Sequence, residues 1–595
     1  MSRVVVRPDR VAADAHVDAQ CSTILDLAGA GKHEEAVALT TTALASAQLG
    51  IQARAALLEA RVRSLLALAE VRRAGDDAAE LLALTESDGS AARRARALAC
   101  QSLVLQRSER EVEALNTATA ALEAARRSRQ AALIALALLR QATPQLTLQK
   151  RAEAERNAAS AARIFERLND RVQQGRALRI LGLARMQEAI TDESLELVQK
   201  AIDLARATGD RAGEAAAYSA MHGGDPDLAV RLRGLKAALQ ANIDAGDRLA
   251  QANMLNNLSL TYARLGMYRR ARRMILRCNA IKGRALRPGA LVNGKNIQAL
   301  LEMFMGHKAA ADAVIAEERR LYATDPMPQF AQTVGWVTSF QDLLEGRYAS
   351  AVAGMERLRS RMKPGYWVLP GLLGNLAQAN LLLGDRTAAL KASTAATVAQ
   401  QEQHGAVAGG VQSDAVIWWQ HHLALKANRK RTASWQALQR AYHRLVDGIA
   451  TLTDEGLRRS YLHAPRQHAT LMQAWIATAR ERGLPAEEWS AHLRAQTDLR
   501  EPVARLVDTG LRLNALRIED ELHEFLIEEV AELVGAQRVL LVLEQPGGRQ
   551  VAGSLVPRGE AVESLLPSVM PWLDDARSLR VTALRHTPEG AEAID

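Results

Sequence analysis

Residues 252–266 read ANMLNNLSLTYARLG and continue as MYRRA at 267–271. The glycine that ends the first segment returns along the chain, each time with a small residue five places later. The intervals are 40, 40 and 38 residues, and the pairs are Gly266 and Ala271, Gly306 and Ala311, Gly346 and Ala351, and Gly384 and Ala389. Glycine lets the chain reverse after one helix, and the small residue leaves room for the next helix. This pattern predicts a helical hairpin copied along the chain.

A second marker predicts the same period. Asp170, Asp210 and Asp247 each precede an alanine-rich segment and lie 40 and 37 residues apart. An aspartate in this position can accept hydrogen bonds from the free N–H groups at the start of a helix. We therefore predict a mainly α protein, an α-solenoid in which each aspartate opens a hairpin. Breaks between helices are also predicted at Gly75 to Asp77 and at Thr143-Pro144.

The hairpin around Gly266 resembles a tetratricopeptide repeat. Its first helix carries a large-small pair, an aromatic residue and a turn in the places where that family has them, and its second helix carries small and apolar residues. The matching positions are Leu258-Ser259, Tyr262 and Leu265-Gly266, followed by Ala271, Ile275 and Cys278. The resemblance covers most of the first 400 residues. It implies a right-handed superhelix with a long concave surface formed by the first helices.

Composition divides the chain into four predicted segments. Residues 1–18 form a flexible N-terminus, and residues 19–400 form the tetratricopeptide-like array. Residues 401–500 form capping and linker helices, because tryptophan becomes frequent there and large rings suit the last apolar face of a solenoid. Residues 501–595 form a small partial α/β domain. They hold 17 acidic and 9 basic residues, whereas the preceding 500 residues are basic.

The last segment resembles the opening of a GAF domain, a sensory module of bacterial signalling proteins. The resemblance covers residues 511–516 and 521–541, with predicted helices at 503–515 and 519–534, a β-rich run at 538–543 and a returning strand at 550–556. The chain ends at Asp595, before the later strands that would complete such a sheet. We therefore expect an incomplete domain. Its open sheet edge, or the C-terminal helices, could support self-association.

Two clusters of basic residues stand out within the net charge of +9. One contains Arg269, Arg270, Arg272, Arg273 and Arg277, and the other contains Lys426 and residues 429–431. A solvated helix face is one interpretation, and contact with phosphate or an acidic partner is the other. The basic residues are spread at helix spacing over a long array. We therefore expect no nucleic-acid partner.

No motif for catalysis is present in the sequence. It contains no phosphate loop, no Gly-x-Ser-x-Gly elbow and no kinase-type His-Arg-Asp, and its cysteines and the pair His463 and His468 match no metal-ligand spacing. We expect a non-enzyme without cofactor or metal ion. Cys21, Cys100 and Cys278 are expected to be buried apolar residues. No export signal or membrane-spanning run is visible, so a cytoplasmic location without membrane contact is predicted.

These observations favour a signalling scaffold that binds a protein or peptide segment in its concave groove and carries a GAF-type sensory module. Five asparagines are predicted on or beside the inner face, where amides can pair with an extended backbone or a terminal carboxylate: Asn253, Asn256, Asn257, Asn375 and Asn380. The alternative for these residues is hydrogen bonding to neighbouring helix ends.

Two other functions are considered. The chain could be the sensory portion of a larger signalling enzyme, such as a nucleotide cyclase, a histidine kinase or a transcription-activating ATPase, with its output domain absent. It could also be a DNA-binding regulator, which the basic array suggests. The lack of a recognisable helix-turn-helix at either terminus argues against the DNA-binding hypothesis.

Overall fold

A computed structural model describes most of the chain. The described residues are 20–46, 49–86, 89–187, 190–222, 225, 227–327, 330–362, 368–402, 413–452, 455–489, 519–534, 536, 538–545, 548–556 and 560–579. Residues 1–19 and the predicted helix at 503–515 lie outside these ranges.

Nearly all of the regular structure in the described residues is helical. The first helices are α1 (20–29), α2 (His33–Leu44), α3 (Ile51–Ala67), α4 (Val71–Glu86), α5 (Ala91–Arg107), α6 (Glu111–Ser128), α7 (Ala131–Thr147), α8 (Arg151–Arg167), α9 (Arg171–Met186), α10 (Asp192–Thr208), α11 (Arg211–His222) and α12 (Leu228–Asp244). They continue as α13 (Arg248–Arg264), α14 (Tyr268–Ala285), α15 (Val292–Met305), α16 (Lys308–Thr324), α17 (Ala331–Leu344), α18 (Tyr348–Arg359), α19 (Leu369–Leu383), α20 (Arg386–Glu402), α21 (Asp414–Ala427), α22 (Arg431–Asp447), α23 (Glu455–His463), α24 (Arg466–Glu481) and α25 (Ala486–Trp489).

Successive helices pair into antiparallel hairpins, from α3 with α4 to α21 with α22. The odd-numbered helices of neighbouring hairpins also contact one another, from α3 to α11 and from α13 to α21. This packing places the odd-numbered helices together on the inner side of the array. The chain is an α-solenoid of tetratricopeptide-like hairpins, as the sequence predicted.

Both repeat markers occupy the positions predicted for them. The glycines at 266, 306, 346 and 384 follow the first helix of their hairpins with φ between 79° and 95°, a region that L-residues with a side chain rarely adopt. Asp170, Asp210 and Asp247 precede α9, α11 and α13, and each accepts a hydrogen bond from a backbone N–H in the first turn. Each aspartate therefore caps the helix that opens a hairpin.

A side-chain bond closes several hairpins at the same place. Ser259 Oγ of α13 donates to the carbonyl of Ala271 in α14 at 2.8 Å, twelve residues later. Ser102 donates in the same way to the carbonyl of Ala114 at 2.8 Å. His422 Nδ1 donates to the carbonyl of Ser434 at 2.8 Å. The small residue at the later position lets the two helices approach closely enough for this bond.

Two predicted breaks between helices are wrong. Gly75 to Asp77 lies inside α4, where Asp77 is buried and accepts two hydrogen bonds from Arg61 at 2.6 and 2.7 Å. This tertiary pairing offsets the low helix propensity of the segment. Pro144 lies in the last turn of α7, which ends at Thr147. A proline there removes a single backbone hydrogen bond close to the end of the helix.

Successive turns of the superhelix touch each other. His33 Nε2 donates to the carbonyl of Ala245 at 2.9 Å, across 212 residues. The backbone N–H of Leu228 donates to the carbonyl of Gly448 at 3.1 Å, 220 residues later. At about 40 residues a hairpin, a separation near 220 corresponds to between five and six hairpins per turn. The solenoid is therefore closely wound, with side chains of one turn packed on the next.

Helices α21 to α25 finish the array with a cluster of aromatic residues. The rings of Trp435 and Trp475 stack with centroids 5.4 Å apart, and Tyr442 stacks on Trp475 at 4.3 Å. Trp475 is buried, and its Nε1–H donates to the Trp489 carbonyl at 3.3 Å. The capping role predicted for the tryptophans and the predicted segment boundaries both stay predictions.

The described C-terminal segment contains helix α26 (Glu519–Val534), strands β1 (Val539–Gln545) and β2 (Gly548–Leu555), and helix α27 (Val562–Leu579). The two strands pair antiparallel, with Val539 opposite Leu555 and a bulge between Leu541 and Val542. Ile527 of α26 packs on Gly553 of β2. This segment is the small α/β part that the sequence predicted after the helical array.

Candidate functional site

Three of the predicted asparagines lie together on α13, an inner helix. Asn253 is exposed and lines a cavity, whereas Asn256 and Asn257 are half-buried. Asn256 Nδ2 donates to Asn257 Oδ1 at 3.5 Å, and Asn256 Oδ1 accepts from Asn293 of α15 at 3.5 Å. These are long, weak hydrogen bonds. The asparagine side chains therefore form a strip of amides from α13 to α15. The hydrogen bonds within this strip can be replaced by hydrogen bonds to a ligand.

The other two predicted asparagines lie deeper, on α19. Asn380 is 5% exposed, and its Nδ2 donates to the carbonyl of Leu376 one turn earlier at 2.9 Å. Asn375 has no exposed surface, and its Oδ1 accepts from Gln420 of α21 at 3.5 Å. Their described contacts are within their own helix or to the next inner helix. A role for them in partner binding stays a prediction.

The repeat period could have identified a further member of the amide strip. Asn293 lies 40 residues after Asn253, the same interval that separates Gly266 from Gly306. Asn296 likewise lies 40 residues after Asn256, but it is buried. Its Nδ2 donates to Glu318 at 3.2 Å and to the Thr333 carbonyl at 2.9 Å. Of these two, only Asn293 joins the strip.

The cavity beside Asn253 has a volume of about 310 Å³ and a polar lining. It brings together side chains from both ends of a superhelical turn: Gln106, Arg107, Glu109, Glu111, Thr147, Leu249, Asn253, Lys282, Leu286 and Phe330. Lys282 Nζ pairs with Glu109 at 2.5 Å, and Arg107 pairs with Asp247 at 2.5 Å. Burial, with a contribution from Glu109, raises the pKa of Glu111 to about 7. Among the charged residues that line the cavity, Glu111 is the one without an ion-pair partner in the described part of the chain.

Two arginines on the inner helices of the first turn differ from neighbouring arginines in their hydrogen bonding. Arg140 of α7 and Arg179 of α9 are half-buried, and the Nε atom of each is inaccessible and has no hydrogen-bond acceptor in the described part of the chain. Burial lowers the pKa of both guanidinium groups to about 10. The nearby Arg63 and Arg176 instead pair with Glu59 at 2.6 Å and with Asp210 at 3.0 Å.

Sequence reasoning did not single out this arginine pair. The available signal was again the repeat: Arg179 lies 39 residues after Arg140, close to the interval of 40 between Asp170 and Asp210. The charged groups that act on Arg140 lie on α3 and α9, which are both inner helices. The Arg140 guanidinium therefore lies among the inner helices.

The arginine cluster of α14 faces carboxylates. Arg270 Nη2 lies 2.7 Å from Glu529 Oε1, and both side chains are buried. Arg273 pairs with Glu528, and Arg272 Nε donates to Glu302 at 2.5 Å. The interpretation of this cluster as a solvated face is therefore wrong for Arg270, because a helix from the acidic end of the chain covers it. The second basic cluster, Lys426 with residues 429–431, is exposed.

His468, Cys100 and Cys278 lie in the packed interior of the helical array. His468 is buried, its Nδ1 donates to the Tyr461 carbonyl at 2.7 Å, and burial lowers its pKa to about 4. Cys100 and Cys278 are buried as predicted, whereas Cys21 is only half-buried, because it lies on the first helix of the described chain. No group of three or more metal-ligating side chains occurs among the described residues. None of the described helices is both long and apolar enough to cross a bilayer.

Comparisons with known proteins give structural likeness at low identity. No family model matches the chain, and no curated protein sequence matches it. A Rap protein in complex with competence and sporulation factor is 12% identical, with a TM-score of 0.36, and the match covers 65% of this chain and 99% of that chain. Yeast Tom70 is 10% identical, with a TM-score of 0.32 and coverage of 81% and 99%. The APC/C hetero-tetramer Cut9–Hcn1 is 12% identical, with a TM-score of 0.29 and coverage of 79% and 95%.

Proposed function

We propose that this protein is a non-catalytic signalling scaffold whose concave face binds a segment of another protein. The observation that carries the proposal is the amide strip of Asn253, Asn256, Asn257 and Asn293 on two neighbouring inner helices. Each amide offers both a donor and an acceptor, which are the groups that an extended backbone needs from a partner. The weak bonds between these asparagines can be replaced at little cost.

Arg140 and Arg179, which have no hydrogen-bond acceptor among the described residues, indicate the chemistry of the segment. A half-buried guanidinium without an acceptor is costly, and a carboxylate from a ligand can satisfy it with paired hydrogen bonds. Glu59 and Asp210 lie close to Arg140 and Arg179 and would repel a continuous run of phosphates. We therefore propose that the segment is a stretch of protein with spaced acidic side chains. A nucleic acid is the less favoured ligand.

We further propose that residues 501–595 belong to a GAF-type sensory module coupled to the scaffold. The support is the succession of helix α26, strand β1, hairpin and strand β2, which follows the opening of that family. Asn375 links the inner helices α19 and α21 through Gln420, and Asn380 donates within α19. Both enter the proposal as residues beside the binding face.

Selection from a random peptide library displayed on phage, against the immobilised full-length chain, tests the main proposal. We expect enriched peptides that bind the wild-type chain and lose at least tenfold in affinity to a variant with Asn253, Asn256 and Asn257 all changed to Ala. The matched control is Gln240→Ala, which removes an exposed amide from the even-numbered helix α12. Enriched peptides that bind the triple variant unchanged, or the absence of any enriched peptide, would overturn the proposal.

A further inference from the structure

Helix α26 occupies a cleft between α14 and α23. Arg270 and Glu529 lie 259 residues apart in sequence, yet their side chains are only 5% and 3% exposed where they pair. Arg273 pairs with Glu528, which is also 3% exposed. Helix α26 packs against α23 as well. Two carboxylates of the acidic end of the chain are thus buried against the basic array.

The cleft lies where two turns of the superhelix meet. Gly266, in the turn between α13 and α14, packs against Ala464, which follows α23. A Cβ atom on Gly266 would lie 2.6 Å from the Cβ of Ala464 and 2.8 Å from the carbonyl oxygen of Ser460. Since α26 contacts α14 on one side and α23 on the other, it bridges this contact between turns.

The two faces of α26 hold different partners. Phe525, Glu528 and Glu529 are spaced to share one face, and all three are buried. Ile527 points to another face and packs on Gly553 of strand β2. Any displacement of α26 from the solenoid would therefore move the β-hairpin with it.

We propose that the cleft between α14 and α23 is a receptor site for an acidic amphipathic helix, and that α26 of the same chain fills it. Release of α26 frees the β-hairpin from the solenoid and loosens the contact between superhelical turns. This proposal does not depend on what the concave groove binds. The partner class follows from charge: α14 presents Arg269, Arg270 and Arg273, and α26 presents Glu524, Glu528 and Glu529.

The energetics make the site selective for carboxylates. Removing one partner of a buried ion pair leaves the other charge in a low-dielectric environment without compensation, which is strongly unfavourable. A neutral helix in the cleft would remove the buried carboxylate that pairs with Arg270. An acidic helix of the same pattern, supplied by another molecule, can replace α26 without this cost once α26 has left.

Charge reversal in the full-length chain provides the test. In Glu528→Arg with Glu529→Arg, and separately in Arg270→Glu with Arg273→Glu, we expect hydrogen exchange in α26 and β1–β2 to accelerate at least tenfold. The variant that combines all four changes should restore the slow exchange, because the ion pairs form again with reversed polarity. The matched control is Glu487→Arg with Glu488→Arg, which reverses two adjacent exposed glutamates of α25 outside the cleft.

A labelled peptide of residues 519–534 supplies the second readout. The wild-type chain should bind it at least tenfold more weakly than Glu528→Arg with Glu529→Arg, because only the variant has an empty cleft, and the Arg270 and Arg273 reversal should not bind it. Unchanged exchange in the reversal variants, failure of the combined variant to restore it, or equal peptide binding by wild type and variant would overturn the proposal. Faster exchange throughout α13–α16 that the combined variant does not reverse would also overturn it, because the arginines would then serve only the stability of α14.

Discussion

Asp247 accepts a hydrogen bond from the backbone N–H of Ala250 at 2.8 Å and pairs through the same Oδ1 with Arg107 Nη2 at 2.5 Å. The first bond caps α13, and the second joins that helix to α5, 140 residues earlier in the sequence. One side chain therefore serves both the repeat and the contact between superhelical turns. The two roles can be separated, because asparagine keeps the capping acceptor but lacks the negative charge.

Asp247→Asn should lower the free energy of unfolding by about 1–2 kcal/mol through the weakened bond to Arg107. Asp247→Ala should cost about 1 kcal/mol more, because the cap is lost too. The control pair is Asp170→Asn and Asp170→Ala, because Asp170 caps α9 and none of its contacts among the described residues reaches another superhelical turn. Urea unfolding measures all four variants. Equal stability of Asp247→Asn and wild type would contradict the importance of the contact between turns.

Gly266→Ala should destabilise the protein more than Gly346→Ala. The two glycines have nearly equal φ values of 79° and 81°, so alanine meets a similar backbone strain of about 1–2 kcal/mol at both. Only at Gly266 does the added Cβ also collide with another superhelical turn, at Ala464. At Gly346 the nearest atom to an added Cβ is Tyr348 Oη, 4.0 Å away. Thermal unfolding of both variants checks this difference, and equal losses would show that the turns do not press on each other at Gly266.

The free energy of unfolding should fall as the pH rises from about 4.5 to about 8, because of the buried side chain of Glu318. Burial raises the pKa of Glu318 from 4.5 to about 8, so the folded state holds a proton that the unfolded state has already released. At about 1.4 kcal/mol per pKa unit, the effect is on the order of a few kcal/mol. Glu318→Gln should flatten this dependence in urea unfolding at several pH values. Glu317→Gln, which changes the neighbouring glutamate that pairs with Lys295, should leave it in place.

Arg140→Gln should raise the free energy of unfolding by on the order of 1 kcal/mol, because it removes a half-buried charge that has no described partner. Arg176→Gln should lower it, because Asp210 would lose the two hydrogen bonds at 3.0 Å that it accepts from Arg176. Chemical unfolding compares the two variants at neutral pH. A loss of stability in Arg140→Gln would mean that Arg140 supports the fold and would remove the reason to expect an anionic ligand there.

Arg140 and Arg179 should make the groove prefer acidic peptides over neutral ones. A peptide with two glutamates three residues apart in a proline-rich background should bind the full-length chain at least tenfold more tightly than its glutamine counterpart. Arg140→Gln with Arg179→Gln should abolish the difference, whereas Arg126→Gln, on the exposed face of α6, should keep it. Fluorescence anisotropy measures the affinities. Equally tight binding of a single-stranded oligo-dT with the same dependence on Arg140 and Arg179 would favour a nucleic acid instead.

The repeat architecture could be predicted from the sequence because its markers act locally. A glycine at positive φ and an aspartate at a helix start are required by the backbone of each hairpin, so Gly266 and Asp247 carry the period. Gly75 and Pro144 were misleading for the opposite reason, because tertiary pairing of Asp77 and the terminal position of Pro144 offset local preference. Neither the tertiary pairing nor the position within the helix can be inferred from the neighbouring residues alone.

The candidate site was only partly predictable. Asn253, Asn256 and Asn257 could be assigned to an inner helix, since the hairpin pattern fixes which helix faces inward. Nothing local shows that Arg270 meets Glu529, because 259 residues separate them and the contact depends on the pitch of the superhelix. Nothing local distinguishes Arg140 and Arg179 from Arg63 and Arg176, which have carboxylate partners in the folded chain.

Hydrogen–deuterium exchange of the full-length chain, with and without the tightest peptide from the display selection, tests the concave groove most directly. We predict slower exchange in the inner helices α7, α9, α13 and α15, and no change in the exposed parts of α10 and α12. Protection of the even-numbered helices or of α26 and its β-hairpin alone, or no protection at all, would contradict the concave face as the binding surface.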